Sequence, residues 1–323
     1  MLALLAITGC EKPVEEYSLL FAGDIILARS GAALTDTSSD PWGDLADIRK
    51  SMAESVFVAN LESPFGSLIS AGGESVSDMN LCAPVDSVEL LRQVDLDLVT
   101  NQNNHAQDCA QSGTDLTSQT LQQAGISGQN GLVETVYSQT EGMAISFIAV
   151  DVYSGNYDLD EVKHLIEEAK SKKQLVVVSL HWGMEYQGGP TRNQEDLAME
   201  LVDAGADILW GHHPHVLQRM EWLTSHQDGH TALVMYSLGN LLADQWMIPD
   251  AQKTAVVRVK INRDRIIGIS VVPLEMDFES KSLRIAKGEV RESICARVRC
   301  AELPRQDVEV NTWQPGTTSG ESD

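Results

Sequence analysis

Short apolar runs, rich in β-branched residues, recur at Ser18–Ala22, Val56–Ala59, Leu96–Thr100, Ala144–Val150, Leu175–Leu180 and Asp207–Trp210. Runs this short read as strands. Between them, apolar residues return every three to four positions in Asp44–Glu54, Pro84–Val94, Gly113–Ala124, Leu159–Lys172 and Asn193–Ala204, the spacing of one helix face. Strand and helix alternating in this way predict an α/β fold with a largely parallel central sheet. Beyond Trp222 the character changes. Ala232–Ser237, Thr254–Ile261 and Arg265–Leu274 follow one another as antiparallel strands, the last two joined by a turn at Asn262-Arg263-Asp264. Ser67–Asp78, rich in Ser and Gly, reads as a long surface loop, and Asn311–Asp323 is polar enough to be disordered. There is no internal repeat. The expected layout is a leader and tether over 1–17, one folded domain over 18–305 and a disordered tail over 306–323.

The 323 residues include 43% hydrophobic ones, enough for a substantial core, which excludes a disordered or fibrous chain. The formal charge is −24 and the pI about 4.6. A nucleic-acid binder needs a basic face, so no nucleic-acid partner is expected. The charge is uneven: residues 1–251 carry 11 basic and 36 acidic side chains, residues 252–305 carry 12 and 7. An acidic protein that handles an anion must do so through something other than bulk charge.

The start of the chain, Met1 to Gly9, is an uncharged apolar run ending in small residues before Cys10. It is too short to span a bilayer as a helix and reads as the end of a signal peptide. Ile7-Thr8-Gly9-Cys10 resembles the lipobox of bacterial lipoproteins, which would make Cys10 a lipidation site and Glu11–Tyr17 a tether. The alternative is a frayed apolar N-terminus with an incidental cysteine. Cys82, Cys109, Cys295 and Cys300 remain, an even number that permits two disulfides in an exported chain. Pairing Cys82 with Cys109 and Cys295 with Cys300 is preferred among three possible connectivities. No Cys-x-x-Cys occurs, which leaves a zinc ribbon or thioredoxin-type motif without support.

Ligands of open α/β sheets bind where loops leave the carboxyl ends of the strands. Here those ends read Gly23-Asp24, Asn60-Leu61-Glu62, Asn103-Asn104-His105, His181-Trp182-Gly183 and Gly211-His212-His213-Pro214-His215, and they hold five of the eight histidines. One histidine after a strand is usually a satisfied structural residue; five such ends are not. Carboxylate, amide oxygen and imidazole together suit Mn, Fe or Zn, or Mg with fewer nitrogens, as one or two divalent ions. Such an ion offsets local acidity, draws in an anionic substrate and activates water. Trp182 and Trp210 are expected to pack beside the site. No Gly-x-Ser-x-Gly elbow supports a serine nucleophile.

These motifs, with Arg29, Glu185-Tyr186, Gln218 and Tyr236-Ser237-Leu238-Gly239-Asn240, occur in an order that resembles the CapA family of capsule and poly-γ-glutamate biosynthesis proteins, within the calcineurin-like metallophosphoesterase superfamily. The resemblance spans about Leu19 to Leu241. It implies an αββα sandwich, two sheets flanked by helices, with a metal site at the loop edge. It implies Asp24, Glu62, Asn104, His181, His213 and His215 as metal ligands and His105 as the catalytic group that protonates a leaving oxygen. His212 is the alternative in the His-x-His pair. Arg29, Asn60, Glu185 and Asn240 would contact substrate or orient ligands. Two departures stand out. Ile26 replaces the histidine of Asp-x-His, and Ala106 replaces the acid that supports the catalytic histidine.

The implied function is a metal-dependent, phosphoesterase-like hydrolase in capsule or poly-γ-glutamate biosynthesis, anchored in the cell envelope through its lipid. Its partners would be a phosphoester or anionic polymer and a membrane polyglutamate or capsule synthase complex. The alternatives are a non-catalytic envelope protein that binds a polyanion, and amide hydrolysis or transfer on polyglutamate.

Overall fold

A computed structural model of the chain describes residues 16–28, 40–66, 80–109, 113–129, 135–140, 143–262, 265–277, 279–305 and 308–312. Cys10, Arg29, the Ser67–Asp78 loop, the Arg263-Asp264 step and the chain beyond Thr312 lie outside those residues.

The first part of the chain contributes β1 (Glu16–Ile25), α1 (Asp44–Ser51), β2 (Val56–Leu61), α2 (Val88–Gln93), β3 (Leu98–Thr100), α3 (Gly113–Ala124) and β4 (Ser127–Gln129). The middle contributes β5 (Thr135–Thr140), β6 (Met143–Asp151), α4 (Leu159–Ser171), β7 (Leu175–His181), α5 (Arg192–Asp203), β8 (Ile208–His212), β9 (Met220–Thr224) and β10 (Thr231–Met235). The last part adds β11 (Asn240–Leu242), β12 (Lys253–Asn262), β13 (Arg265–Asp277), β14 (Ser282–Ile285), α6 (Gly288–Arg297) and β15 (Glu309–Thr312).

The strands form two mixed sheets. One runs β14-β13-β12-β1-β2-β3-β4, with β11 beside β1 and β15 beside β13; the other runs β5-β6-β7-β8-β10-β9. In the first, β1 to β4 are parallel and β12 to β14 antiparallel; in the second, β6, β7, β8 and β10 are parallel between antiparallel edges. The single largely parallel sheet expected from strand–helix alternation is therefore two. The period-two burial explains why. Leu19 and Phe21 of β1 join Phe147, Val177 and Trp210 in an apolar layer between the sheets. Leu20 and Ala22 face a second layer with Leu45 and Leu91 of the helices. Val176 and Val178 of β7 face a third, with Val162, Ile166 and Leu201. Strands buried on both faces read as unbroken apolar runs in either sheet, so the run itself does not say which sheet it joins. Each large apolar side chain so buried contributes roughly 1.5–3 kcal/mol. The result is the expected sandwich: helix, sheet, sheet, helix.

Several boundaries move. Glu16 and Tyr17, assigned to a tether, pair with Asn262 and Ile261 as the start of β1. Glu309–Thr312, assigned to a disordered tail from 306, lies parallel to β13. Pro84–Val94 divides into a 3-10 turn at Val85–Ser87 and α2. Cys82 and Cys109 form the expected disulfide. Cys295 and Cys300 do not: they remain two thiols joined by a hydrogen bond. Ile294, Val298 and Leu303, buried between the sheets, already hold that segment down without a crosslink. Burial and the Cys295 hydrogen bond push the Cys300 thiol up to about 12.

Candidate metal centre

The parallel strands of both sheets deliver their carboxyl ends to one edge of the sandwich. Asp24 sits in β1 with Asn60 of β2 and Asn240 of β11 as register neighbours. Gly23 allows this approach. A Cβ there would stand 1.8 Å from the Gly239 carbonyl oxygen, and the Asp24 amide donates to that same oxygen at 2.9 Å. His181 ends β7 and His212 ends β8, directly across from each other in register. The chain then turns sharply, with φ 90° at His213 and 58° at His215. Non-glycine residues in that region cost of order 1–3 kcal/mol each, and they concentrate where geometry serves function.

Asp24, Glu62, His181, His212, His213 and His215 are all buried, from 0% to 3% exposed. Asp24 Oδ1 accepts from Asn60 Nδ2 at 2.8 Å, and Oδ2 accepts from the His213 amide at 3.2 Å. His212 Nδ1 lies 3.4 Å from Asp24 Oδ1, and His215 Nδ1 lies 3.4 Å from Asp24 Oδ2 and 3.7 Å from Glu62 Oε2. Across the centre, His181 Nε2 is 3.4 Å from Glu62 Oε1 and 2.7 Å from Asn104 Oδ1. Asn240 Oδ1 contacts His215 Nδ1 at 3.0 Å and orients that ring.

The carboxylates and imidazoles pull one another's protons apart. Burial opposes ionisation of Asp24, but the His212 and His215 imidazoles, each 3.4 Å from one of its oxygens, outweigh it and hold the carboxyl well below its ordinary range. Burial pushes Glu62 up to about 7 against the attraction of His215, with the Asp24 charge adding to the rise. Burial also opposes the His215 cation, but Glu62 and Asp24 overcome it and raise that imidazole to about 9. Burial and the charge of His215 drive His213 down to about 4; burial and His213 likewise hold His181 well below normal. Two neutral imidazoles beside two acidic groups are poised to donate lone pairs.

These residues fit a divalent cation. Both Glu62 oxygens, both ring nitrogens of His212 and His213, and His181 Nδ1 are buried without a hydrogen-bond partner. Each such group costs roughly 1–3 kcal/mol unless something satisfies it. Ligand atoms of Glu62, His181 and His213 lie within 4.8 Å of one another, as do those of Asp24, Glu62 and His215, and those of Glu185, His213 and His215. His212 is in none of these groups among the described residues; its ring packs edge-on against Trp210 at 4.3 Å. Thus all six expected ligands converge on the edge. Trp182 and Trp210 are buried supports whose indole nitrogens donate to Tyr236 O and Ala22 O. Ile26, where a further histidine was expected, is buried with Ala28, Leu81 and Ala243.

The support that Ala106 lacks comes from three residues along. His105 Nδ1 lies 2.7 Å from Asp108 Oδ2 across a tight turn. That oxygen also accepts the Leu81 amide at 2.6 Å, and the next residue, Cys109, is bonded to Cys82. Burial opposes the His105 cation, but the Asp108 hydrogen bond outweighs it and raises the imidazole above its usual value. Asn103 braces the same turn: its Nδ2 donates to Asn60 Oδ1 and Leu61 O, and its Oδ1 accepts the His105 amide. Sequence reasoning quoted Asn103 within a motif without giving it this role, and it missed Asp108 and Tyr153, whose half-exposed ring sits 4.0 Å from that of His213. Only Asp108 had a legible signal, its i+3 spacing from His105.

The chain is similar to several known proteins. The PGA biosynthesis protein CapA of Bacillus subtilis is 26% identical over 307 residues, covering 87% of this chain and 77% of that protein. The capsule biosynthesis protein CapA of Bacillus anthracis is 30% identical over 223 residues, 62% of this chain and 52% of that one. A probable polyglutamine synthesis accessory protein of Mycobacterium tuberculosis is 24% identical, over 54% and 53%. The chain thus spans about half the length of the latter two. The solved structure of TT1561 of Thermus thermophilus matches with a TM-score of 0.40 at 9% identity, over 76% of this chain and 98% of that one. The family model for the bacterial capsule synthesis protein PGA_cap matches residues 18–245, which include every residue of the centre just described, and the chain belongs to that family.

Proposed function

We propose that this protein is a metal-dependent hydrolase of the phosphoester type, acting at the cell envelope in capsule or poly-γ-glutamate biosynthesis and held there by a lipid on Cys10. The observation that carries the reading is the His105–Asp108 pair beside the Glu62, His181 and Asn104 group. With Nδ1 committed to Asp108, Nε2 is the atom left to give a proton to a leaving oxygen, and the Asp108 hydrogen bond favours the protonated imidazole against burial. Asp24, Glu62, Asn104, His181, His213 and His215 would hold a divalent ion, which supplies Lewis-acid polarisation and acidifies water when bound. The buried walls around them, Trp182 and Trp210 included, keep bulk water from competing with those groups.

A second reading rests on Ile26. With that ligand position apolar, and with basic residues gathered in 252–305, the protein would bind a polyanionic polymer beside a synthase without turning it over. Amide hydrolysis or transfer on polyglutamate would use the same centre. Turnover of an aryl phosphoester with Mn²⁺ separates these. Under the hydrolase reading, His105→Ala lowers turnover by about 10²–10⁴-fold, an alkyl ester losing more than a nitrophenyl ester, with Mn²⁺ content retained. No turnover by wild type with Mn²⁺, Fe²⁺, Zn²⁺ or Mg²⁺, together with retention of poly-γ-glutamate, favours the binder.

A further inference from the structure

The mouth of the metal edge is apolar and lacks basic side chains. Of the five large apolar side chains left exposed among the described residues, four stand on loops that leave this edge: Tyr153 after β6, Met184 and Tyr186 after β7, and Met247 after β11. Exposed apolar residues scattered singly mean little, but four around one mouth mark a contact surface. These loops, 152–158, 182–191 and 243–248, contain no lysine or arginine, and neither does the His105 loop over 101–109.

The two tyrosines are fixed in place. The Val152 and Tyr153 amides both donate to His181 O, at 3.0 and 2.9 Å. The Tyr186 amide donates to Pro214 O at 2.8 Å, with Tyr186 itself at φ 59°. Gln218 Nε2 donates to Gln187 O at 2.8 Å and to Gly189 O at 3.1 Å, and Arg297 Nη1 donates to Gly188 O at 3.2 Å. The tyrosine rings thereby extend the histidine turn outward on either side. Ring centroids are 4.0 Å apart for Tyr153 and His213, 6.0 Å for His213 and His215, and 6.0 Å for His215 and Tyr186. The histidines are buried, whereas Tyr153 is 53% exposed and Tyr186 41%.

We infer that Tyr153 and Tyr186 determine specificity, forming a platform for the uncharged alcohol portion of the substrate, a sugar ring, while its phosphoryl group lies at the histidines. A tyrosine offers an apolar face and a hydroxyl at its edge. A pyranose is its counterpart, with C–H groups on its faces and hydroxyls around its rim. The platform is shallow, so a ligand covers it with one face and keeps the other in water. A sugar ring tolerates that; an alkyl or aryl group would leave half its apolar surface exposed. A polymer of carboxylates is disfavoured, because these loops offer no cation to meet successive charges. The inference rests on the reading that the centre takes a phosphoester, but not on turnover.

The test is calorimetric binding of glucose 1-phosphate and of methyl phosphate to the full chain in Mn²⁺. The two ligands carry the same phosphoryl group, so their ratio reads the alcohol portion alone and cancels any general loss at the centre. Wild type prefers the sugar phosphate by at least about 10-fold. Tyr153→Ala and Tyr186→Ala each reduce that preference by about 3–10-fold, the worth of one ring contact. Tyr153→Phe, which keeps the ring face, retains most of it. Where an ester is hydrolysed, the same ratios are read in kcat/KM. Equal affinity of wild type for the two ligands, or no binding of either, overturns the proposal. So does a preference unchanged in both alanine variants, or displacement of the sugar phosphate by poly-γ-glutamate at equal phosphate and carboxylate concentrations. A wild type that shows the tyrosine-dependent preference but hydrolyses neither ester defeats the hydrolase reading and leaves this one standing. Hydrolysis of both esters without preference does the reverse.

Discussion

The second sheet sets histidines against carboxylates at both of its edges, and the two arrangements differ in kind. At the carboxyl ends of β7 and β8, His181 and Glu62 stand 3.4 Å apart, buried, with most of their polar atoms unbonded. At the opposite ends, His230 precedes β10, with Nδ1 at 2.8 Å from Asp228 and Nε2 at 3.1 Å from Ala206 O. Nearby, Asp207 is bound by Lys170 at 2.7 Å and by the Val176 amide at 2.8 Å, and Asp203 accepts from His226. That edge also has a hollow of about 730 Å³, lined by residues that include Trp222, His230, Arg265 and Arg305. Neither residue type nor the presence of a hollow makes an edge a functional site. Satisfaction distinguishes the two: groups that have found partners support the fold, while buried groups without partners are held for something else.

Removing one carboxylate at each edge breaks the comparison most sharply. Glu62→Gln should lower Mn²⁺ affinity by at least about 100-fold, because a ligand loss exceeds the 10–100-fold typical of its outer supports. In chelator it should leave thermal stability unchanged or raised, since an unpartnered buried carboxylate is gone. Asp207→Asn should do the reverse, leaving metal content intact while weakening the Lys170 pair by about 1–2 kcal/mol, a figure reduced for the partial exposure of Lys170. Denaturant melts and metal analysis of both variants decide the matter; like behaviour would dissolve the distinction.

The next effect concerns the turn that carries His105. The Cys82–Cys109 bond closes a 27-residue separation, so Cys82→Ala/Cys109→Ala should lose roughly 3–4 kcal/mol. Turnover should fall further than Mn²⁺ affinity, because Asp108 neighbours Cys109, whereas Asp24 and His181 are held by strands β1 and β7. Equal losses in the two measurements would mean that the disulfide supports the whole edge alike.

A smaller effect separates the edges by pH in the chelator-treated protein. His215 is raised from 6.5 to about 9, so its contribution is fully present below 6.5 and is lost as pH rises through 9. Glu62, raised to about 7, acts in the same direction between 4.5 and 7, where the lowered His213 and His181 act oppositely. Between pH 7 and 9 His215 therefore dominates, and stability should fall by on the order of 2–3 kcal/mol. His215→Gln should flatten that slope; a slope that survives the change belongs to another group. The smallest effect is at the far edge. Asp228→Asn, with its side chain 68% exposed, should shift stability by no more than about 0.5 kcal/mol and metal content not at all.

Much of the edge was legible because strand ends are punctuated by residues that an apolar run does not need. Asp24, Glu62, His181 and His213 each close or follow such a run, and parallel pairing sends those ends to one side. Asp108 was harder to find, because its role depends on a turn that folds back by hydrogen bonds to Asn103 and by a disulfide. Glu185 belonged to a recognised motif, but its reach toward His213 and His215 depends on where Gln218 and Arg297 hold its loop. The pairing of Cys295 with Cys300 failed for a related reason: proximity along the chain is not a bond when core residues already fix the segment.

The order of apolar runs and helix-spaced segments determined by itself that this chain is α/β and that its strand ends gather carboxylates, amides and imidazoles, since both follow from local periodicity. Which runs share a sheet, which acid steadies His105 and which polar groups stay unpartnered were decided only in three dimensions. Those depend on contacts between residues far apart in the chain, such as Asp24 with His215 or Glu62 with His181, whose mutual burial changes the protonation of each. No property of the separate residues contains that.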